Sequence, residues 1–207
     1  MESSIIGFFA LILSFTFSTA NDGYEKRLAN IHAEADIIGK MLRQNEEMPE
    51  TIQGNINNYL KAYLQLQIGV YSRQLPQTEW MSRGEIILQN FSGYLKTLKK
   101  DAVQHSWIDP LQKNYNDLSM RFYNNLYAIS ERTPPLIMFL ILISSLLIGC
   151  LVGFTNGFQE KRHYLVPVIY VFMVVFTVQA IKDLDNPFGG FIKPDVSNLK
   201  DLYSKTH

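Results

Sequence analysis

The sequence predicts an all-α membrane protein: three transmembrane helices, with an extramembrane antiparallel four-helix bundle inserted between the first and second. Three observations carry that fold class. Residues 3–20, 135–155 and 164–181 contain no Asp, Glu, Lys or Arg, and each stretch approaches the ~20 apolar residues that cross a ~30 Å hydrocarbon core. Between the first two stretches, apolar residues return every three or four positions over four segments, the period of a one-sided helix. No sustained apolar–polar alternation marks a strand anywhere. The 19 basic and 19 acidic residues cancel, so nothing in the charge balance points to nucleic acid as a partner.

The first span, 3–20, competes with a signal peptide. Ile5 to Phe17 has the length of a signal core, and Ser18-Thr19-Ala20 resembles a small-residue cleavage site. The chain opens Met1-Glu2 without a basic leader, which favours a retained span. Ser14, Thr16 and Ser18 alternate with Phe15 and Phe17 and are candidate pore-lining hydroxyls. The competing reading is local: successive helical residues turn by about 100°, so alternation gives no single polar face, and such hydroxyls commonly bond back to their own helix.

Residues 21–134 are expected to form the helical domain. Its first helix, Tyr24 to Met48, carries Leu28, Ile31, Ala35, Ile38 and Leu42 on one face. Met48-Pro49-Glu50 ends it and starts a second helix, because proline lacks only an N–H that the first turn does not need. Ile52, Ile56, Tyr59, Tyr63, Leu66 and Val70 mark the second. Pro76-Gln77-Thr78-Glu79 opens a third with Trp80, Ile87, Phe91, Tyr94 and Leu98. Asp109-Pro110, a cap and first-turn pair, opens a fourth with Leu111, Tyr115, Leu118, Phe122 and Ile129. An even number of helices with short joints returns the chain to the side it left. Thr133-Pro134-Pro135 then gives a rigid entry to the second span.

The second span, 135–155, and the third, 164–181, form a hairpin around the loop 156–163. Lys161 and Arg162 make that loop a cytoplasmic candidate, which puts the helical domain on the non-cytoplasmic side. Cys150, the single cysteine, lies in the second span and excludes an intrachain disulfide. Ser145, Gly149, Gly153 and Gly157 recur every four residues there, a spacing of small residues that lets another helix approach closely.

The tail, 182–207, begins "KDLDNPFGGFIKPD". Asp183, Asp185, Asn186, Pro187, Phe188, Gly189, Gly190 and Phe191 form an interfacial motif or a pore mouth. As an anchor, the acids and the amide cap turns while the aromatics sit at the membrane boundary. As a pore mouth, Asp183 and Asp185 would form a ring of negative charge in an oligomer. His32, Glu34 and Asp36 do not make a metal set, since residues two apart on a helix point to different sides. No nucleophile motif, phosphate loop or dinucleotide fingerprint is present, so neither an enzyme nor a cofactor is expected.

"DLDNPFGGFI" resembles the Asp-Leu-Asp-x-Pro-(aromatic)-x-Gly-(apolar)-Ile signature of the bacterial bestrophin-like family, membrane proteins whose function is largely unassigned. "ERTPPLIMFLILISSLLIGCLVGF" is similar to that family's basic residue, proline pair and apolar hairpin. "FTFSTANDGYEKR" with "AEADIIGKML" is similar to its first block. Asn186 stands where the family often has arginine or lysine. Fuller members carry an extra span and a basic loop before the first span here, and Met1 falls where that loop would end, which implies an external helical domain. The family name further implies a likeness to bestrophins, oligomeric anion channels.

The resulting expectation is a homo-oligomer in the bacterial inner membrane, multi-pass, with inorganic ions passing around a symmetry axis. Three spans per chain are too few to enclose a pathway alone. The alternative is a sensor or a structural accessory subunit with a helical head and no catalytic step.

Overall fold

A computed structural model of the chain describes residues 2–72, 75–101, 106–130, 133–158, 165–186 and 190–206. Among them there are seven helices and no strand: α1 (Glu2–Asn45), α2 (Glu50–Tyr71), α3 (Gln77–Asp101), α4 (Ile108–Ser130), α5 (Pro135–Gly157), α6 (Leu165–Asp185) and α7 (Ser197–Ser204). They fall into two compact units. One comprises Met1–Glu25 and Glu131–Ile192, the other Lys26–Ser130 and Lys193–His207.

The first unit packs the beginning of α1 with α5 and α6. Phe9, Ala20, Ile141, Ile148, Ile181 and Leu184 form its buried centre, and Ile12, Leu13, Tyr170 and Val178 close around them. Most remaining apolar side chains face outward. Phe15, Phe139, Phe154, Phe172 and Phe176 are each at least 60% exposed. Burying such a side chain is worth about 1.5–3 kcal/mol, so these faces require a covering of lipid or protein. Among the described residues, two helices, Pro135–Gly157 and Pro167–Asp185, are long and apolar enough to cross a membrane. The expected first span, residues 3–20, is the opening of the 44-residue α1, which runs on to Asn45 without a break.

The second unit contains the rest of α1 with α2, α3, α4 and α7. Ile31, Ile38, Met41, Ile56, Leu60, Leu64, Trp80, Phe91, Leu95, Leu111 and Phe122 are almost wholly excluded from solvent. Phe122 of α4 makes edge contacts with Tyr63 of α2 and Trp80 of α3 at 6.2 and 5.8 Å between ring centroids. Tyr59 stacks on Phe91 at 5.1 Å. The starts of α2, α3 and α4 coincide with the proline punctuation of the sequence. The added element is α7, which packs on α2 and buries Leu199. Its entry is fixed by Asp195, whose oxygens accept bonds from the Ser197 backbone N–H (2.9 Å) and hydroxyl (3.0 Å).

Polar residues interrupt this core. Arg27, Glu34 and Asn45 of α1, Gln67 of α2 and Asn125 of α4 are all at most 5% exposed. Asn45 closes the turn into α2 by donating to the Gln53 carbonyl (3.0 Å) and to Asn57 Oδ1 (2.8 Å).

Candidate functional site

The acidic motif sits at the end of α6. The third apolar stretch stops at residue 181, but the helix continues through Lys182, Asp183 and Leu184 to Asp185. Helical spacing turns Ile181 and Leu184 into the core and leaves Lys182 exposed. Asp183 points inward and is 6% exposed. Its Oδ1 accepts the Phe191 N–H at 2.8 Å, and its Oδ2 accepts Phe191 and Ile192 N–H groups at 2.8 and 2.7 Å. Charge-assisted bonds from backbone amides are the strong kind. They bind the segment after α6 back onto the helix that precedes it.

Gly190 makes that return possible. Its φ is +127°, a region L side chains rarely enter. A β-carbon there would run into the Asp183 carboxylate. Phe191, held by its amide, leaves its ring 91% exposed. The motif members Pro187, Phe188 and Gly189 lie outside the described residues.

Asp185 faces the start of α5. Its Oδ1 accepts the Thr133 hydroxyl at 2.9 Å, and its Oδ2 accepts the Thr133 N–H at 3.3 Å. The two carboxylates therefore have separate tasks, one closing a loop and the other fastening α6 to the head of α5. Asn186 is exposed, and its N–H donates to the Asp183 carbonyl at 3.2 Å. An open groove of about 610 Å³ lies beside this joint, with Met138, Phe139 and Leu142 on one wall and Lys182, Asp185 and Asn186 on the other. Thr133 is the residue sequence reasoning missed. Its partner is 52 positions away, and only closure of the α5–α6 hairpin brings them together.

The small-residue stripe of α5 divides in two. Ser145 is buried, donates to its own Ile141 carbonyl at 2.6 Å, and offers its carbonyl to the Tyr170 hydroxyl of α6 at 2.7 Å. A β-carbon on Gly149 would lie 3.5 Å from the Tyr170 ring. These two residues receive α6. Gly153 and Gly157 are exposed, and a β-carbon on either would meet nothing within 4 Å. Among the described residues, no side chain or helix packs on that half of the stripe.

The hydroxyls of α1 also divide. Thr16 is 5% exposed and donates to the Ile12 carbonyl at 2.8 Å. Ser14 and Ser18, four residues apart, are both exposed and share the opposite side. Of the discounted metal set, Asp36 is exposed, Glu34 is buried, and His32 Nδ1 lies 3.1 Å from the Asn198 amide.

The family model for the Bestrophin-like domain matches residues 3–196. No curated protein matches the chain. Among solved structures, a bacterial bestrophin homolog from Klebsiella pneumoniae is 14% identical, with a TM-score of 0.78 over 99% of this chain and 84% of that one. A point variant of that homolog is 15% identical with a TM-score of 0.76, covering 99% and 86% of the two chains. A structure described as a membrane protein variant is 13% identical, with a TM-score of 0.80 over 99% and 84%. At such identities the likeness is one of fold.

Proposed function

The chain belongs to the bestrophin-like family, and from that premise we propose that it assembles as a homo-oligomer in a bacterial inner membrane and conducts inorganic ions around its symmetry axis. The observation that carries this reading is the outward apolar surface of α5 and α6 beside the uncovered Gly153–Gly157 edge. Lipid suits the first, and a close-packed neighbouring helix suits the second. The opening of α1, residues 3–20, is the first span and supplies the lining, with Ser14 and Ser18 toward the axis and Thr16 turned to its own chain. Residues 21–134 form the extramembrane four-helix domain. The basic pair Lys161-Arg162 favours that domain on the non-cytoplasmic face. Labelling of a cysteine placed in α7, in sealed vesicles of known sidedness, tests the orientation.

At the mouth, Asp185 is the carboxylate with access to water, because it is half-buried and borders the groove while Asp183 is enclosed. Mass measurement in detergent followed by ion flux in liposomes tests the proposal. An oligomer that passes ions, with altered selectivity in Asp185→Asn, supports it. A monomeric wild type rejects conduction, and unchanged selectivity removes Asp185 from the pathway.

A second reading, a structural or sensory subunit, draws on the same motif. Both carboxylates already hold protein partners, as an interfacial anchor requires. A stable oligomer without flux to any tested ion would favour it.

A further inference from the structure

Glu34 lies in the middle of the second unit's core and is fully buried. It occupies the inward stripe of α1 formed by Arg27, Ile31, Glu34, Ile38, Met41 and Asn45, each at most 5% exposed. The Tyr63 hydroxyl of α2 donates a close hydrogen bond to Glu34 Oε1. Glu34 Oε2 has no partner. Beside it, Asn125 of α4 keeps its amide nitrogen unpartnered, and both amide atoms of Gln67, one turn beyond Tyr63, are also buried without a partner.

No ion pair within 4 Å involves Glu34 among the described residues. The charged and titratable groups around it are few. Tyr63 and Tyr71 face it from α2, and Arg121 faces it from α4. Arg121 is itself engaged with Asn30 Oδ1 at 3.5 Å. Arg27, two turns earlier on α1, acts on Tyr71. From α3, Trp80 packs against Tyr71 at 5.8 Å, and its indole does not titrate. A carboxylate ion here would be desolvated without a salt bridge, an arrangement proteins avoid by keeping the group neutral.

We propose that Glu34 is a proton-binding site: its carboxyl is neutral in the packed core, and release of the proton weakens the α1–α2–α4 contact, so that the helical unit responds to pH. A proton on Oε2 changes an acceptor that lacks a donor into a donor. The Asn125 amide, whose O and N exchange by a flip, then offers its oxygen as the acceptor, whereas its N–H groups suit the anion. The Tyr63 bond persists in both states and is stronger to the anion. Burial is the largest influence and pushes the Glu34 pKa from 4.5 up to about 7, against the lowering effects of Tyr63, Asn125 and Arg121.

The direction of the pH effect follows. A carboxyl whose pKa is raised on folding stabilises the fold fully below its unfolded value. That contribution is lost as pH rises from about 4.5 to about 7. The inference is independent of ion conduction.

The test is thermal unfolding of the full chain in detergent, followed across this pH window for wild type, Glu34→Gln and Tyr63→Phe. Wild type should lose melting temperature with rising pH relative to Glu34→Gln, whose amide does not ionise. In Tyr63→Phe the loss should extend to higher pH from the same onset, because the bond favouring the anion is gone and only the folded pKa rises. Parallel curves for wild type and Glu34→Gln would overturn the proposal. Should Glu34→Gln fail to fold, infrared titration of the wild type decides. A carboxylic carbonyl band persisting above pH ~6, where ordinary carboxyls of pKa ~4 are ionised, supports the site, and its absence overturns it.

Discussion

Asp183 and Gly190 act as a matched pair: the carboxylate needs two backbone amides to approach it, and only a residue without a β-carbon leaves room. Asp183→Ala strips the Phe191 and Ile192 amides of their acceptor, at about 1–3 kcal/mol for each one left unsatisfied. Asp183→Asn keeps one acceptor oxygen and loses the charge. Melting temperatures in detergent should therefore fall in the order wild type, Asp183→Asn, Asp183→Ala. An Asp183→Ala protein that melts with wild type would show that the carboxylate does not hold the segment. Acid and turn residues after an apolar run are, in the sequence, candidates for capping backbone groups. Which amides are capped was not legible, since it depends on how the chain folds back. Glu34 was hidden for a different reason. A search for apolar periodicity selects Leu28, Ala35 and Leu42, whereas the innermost stripe of α1 includes Arg27, Glu34 and Asn45. Polar members of a buried stripe break the very pattern used to find it.

At the scale of elements, the proline breaks were legible because proline acts locally, through a fixed φ and a missing N–H. The end of α6 was not. Loss of hydrophobicity at Lys182 marks where an apolar stretch ends, and a helix can continue past that point with Leu184 still in the core. α7 was missed because eight residues carry little periodic signal. How α3 meets α4 illustrates contacts that composition cannot supply. A β-carbon on Gly84 would overlap the Phe122 ring, itself wedged between Tyr63 and Trp80. Elsewhere on α3, Gly93 has nothing within 4 Å. In an open helix, Gly→Ala gains about 0.5–1 kcal/mol, while overpacking a core costs about 1–3 kcal/mol. Gly93→Ala should thus raise the melting temperature, and Gly84→Ala should lower it. Both changes remove the same backbone freedom, so a shift of equal sign in the two variants would contradict the close approach at Phe122.

On the scale of the whole molecule, the sequence separates apolar stretches from amphipathic ones, and the structure divides between residues 25 and 26, 130 and 131, and 192 and 193. Its reading of Ser145, Gly149, Gly153 and Gly157 as one packing stripe could not tell which helix each residue receives. Tyr170 covers the first two, and the last two remain open. That division makes assembly testable without disturbing the chain itself. Among the described residues no atom lies within 4 Å of a β-carbon at Gly153, so a leucine there should little affect the folding of a single subunit. Against a neighbouring copy packed as closely as glycine allows, the same side chain would force the backbones apart. Gly153→Leu should accordingly keep its helical content and thermal unfolding while its detergent-corrected mass falls from oligomer toward monomer. Gly149→Leu should instead lower stability, because it presses on Tyr170 within the chain. If Gly153→Leu retains the wild-type mass, the open half of the stripe faces lipid and the subunits meet elsewhere.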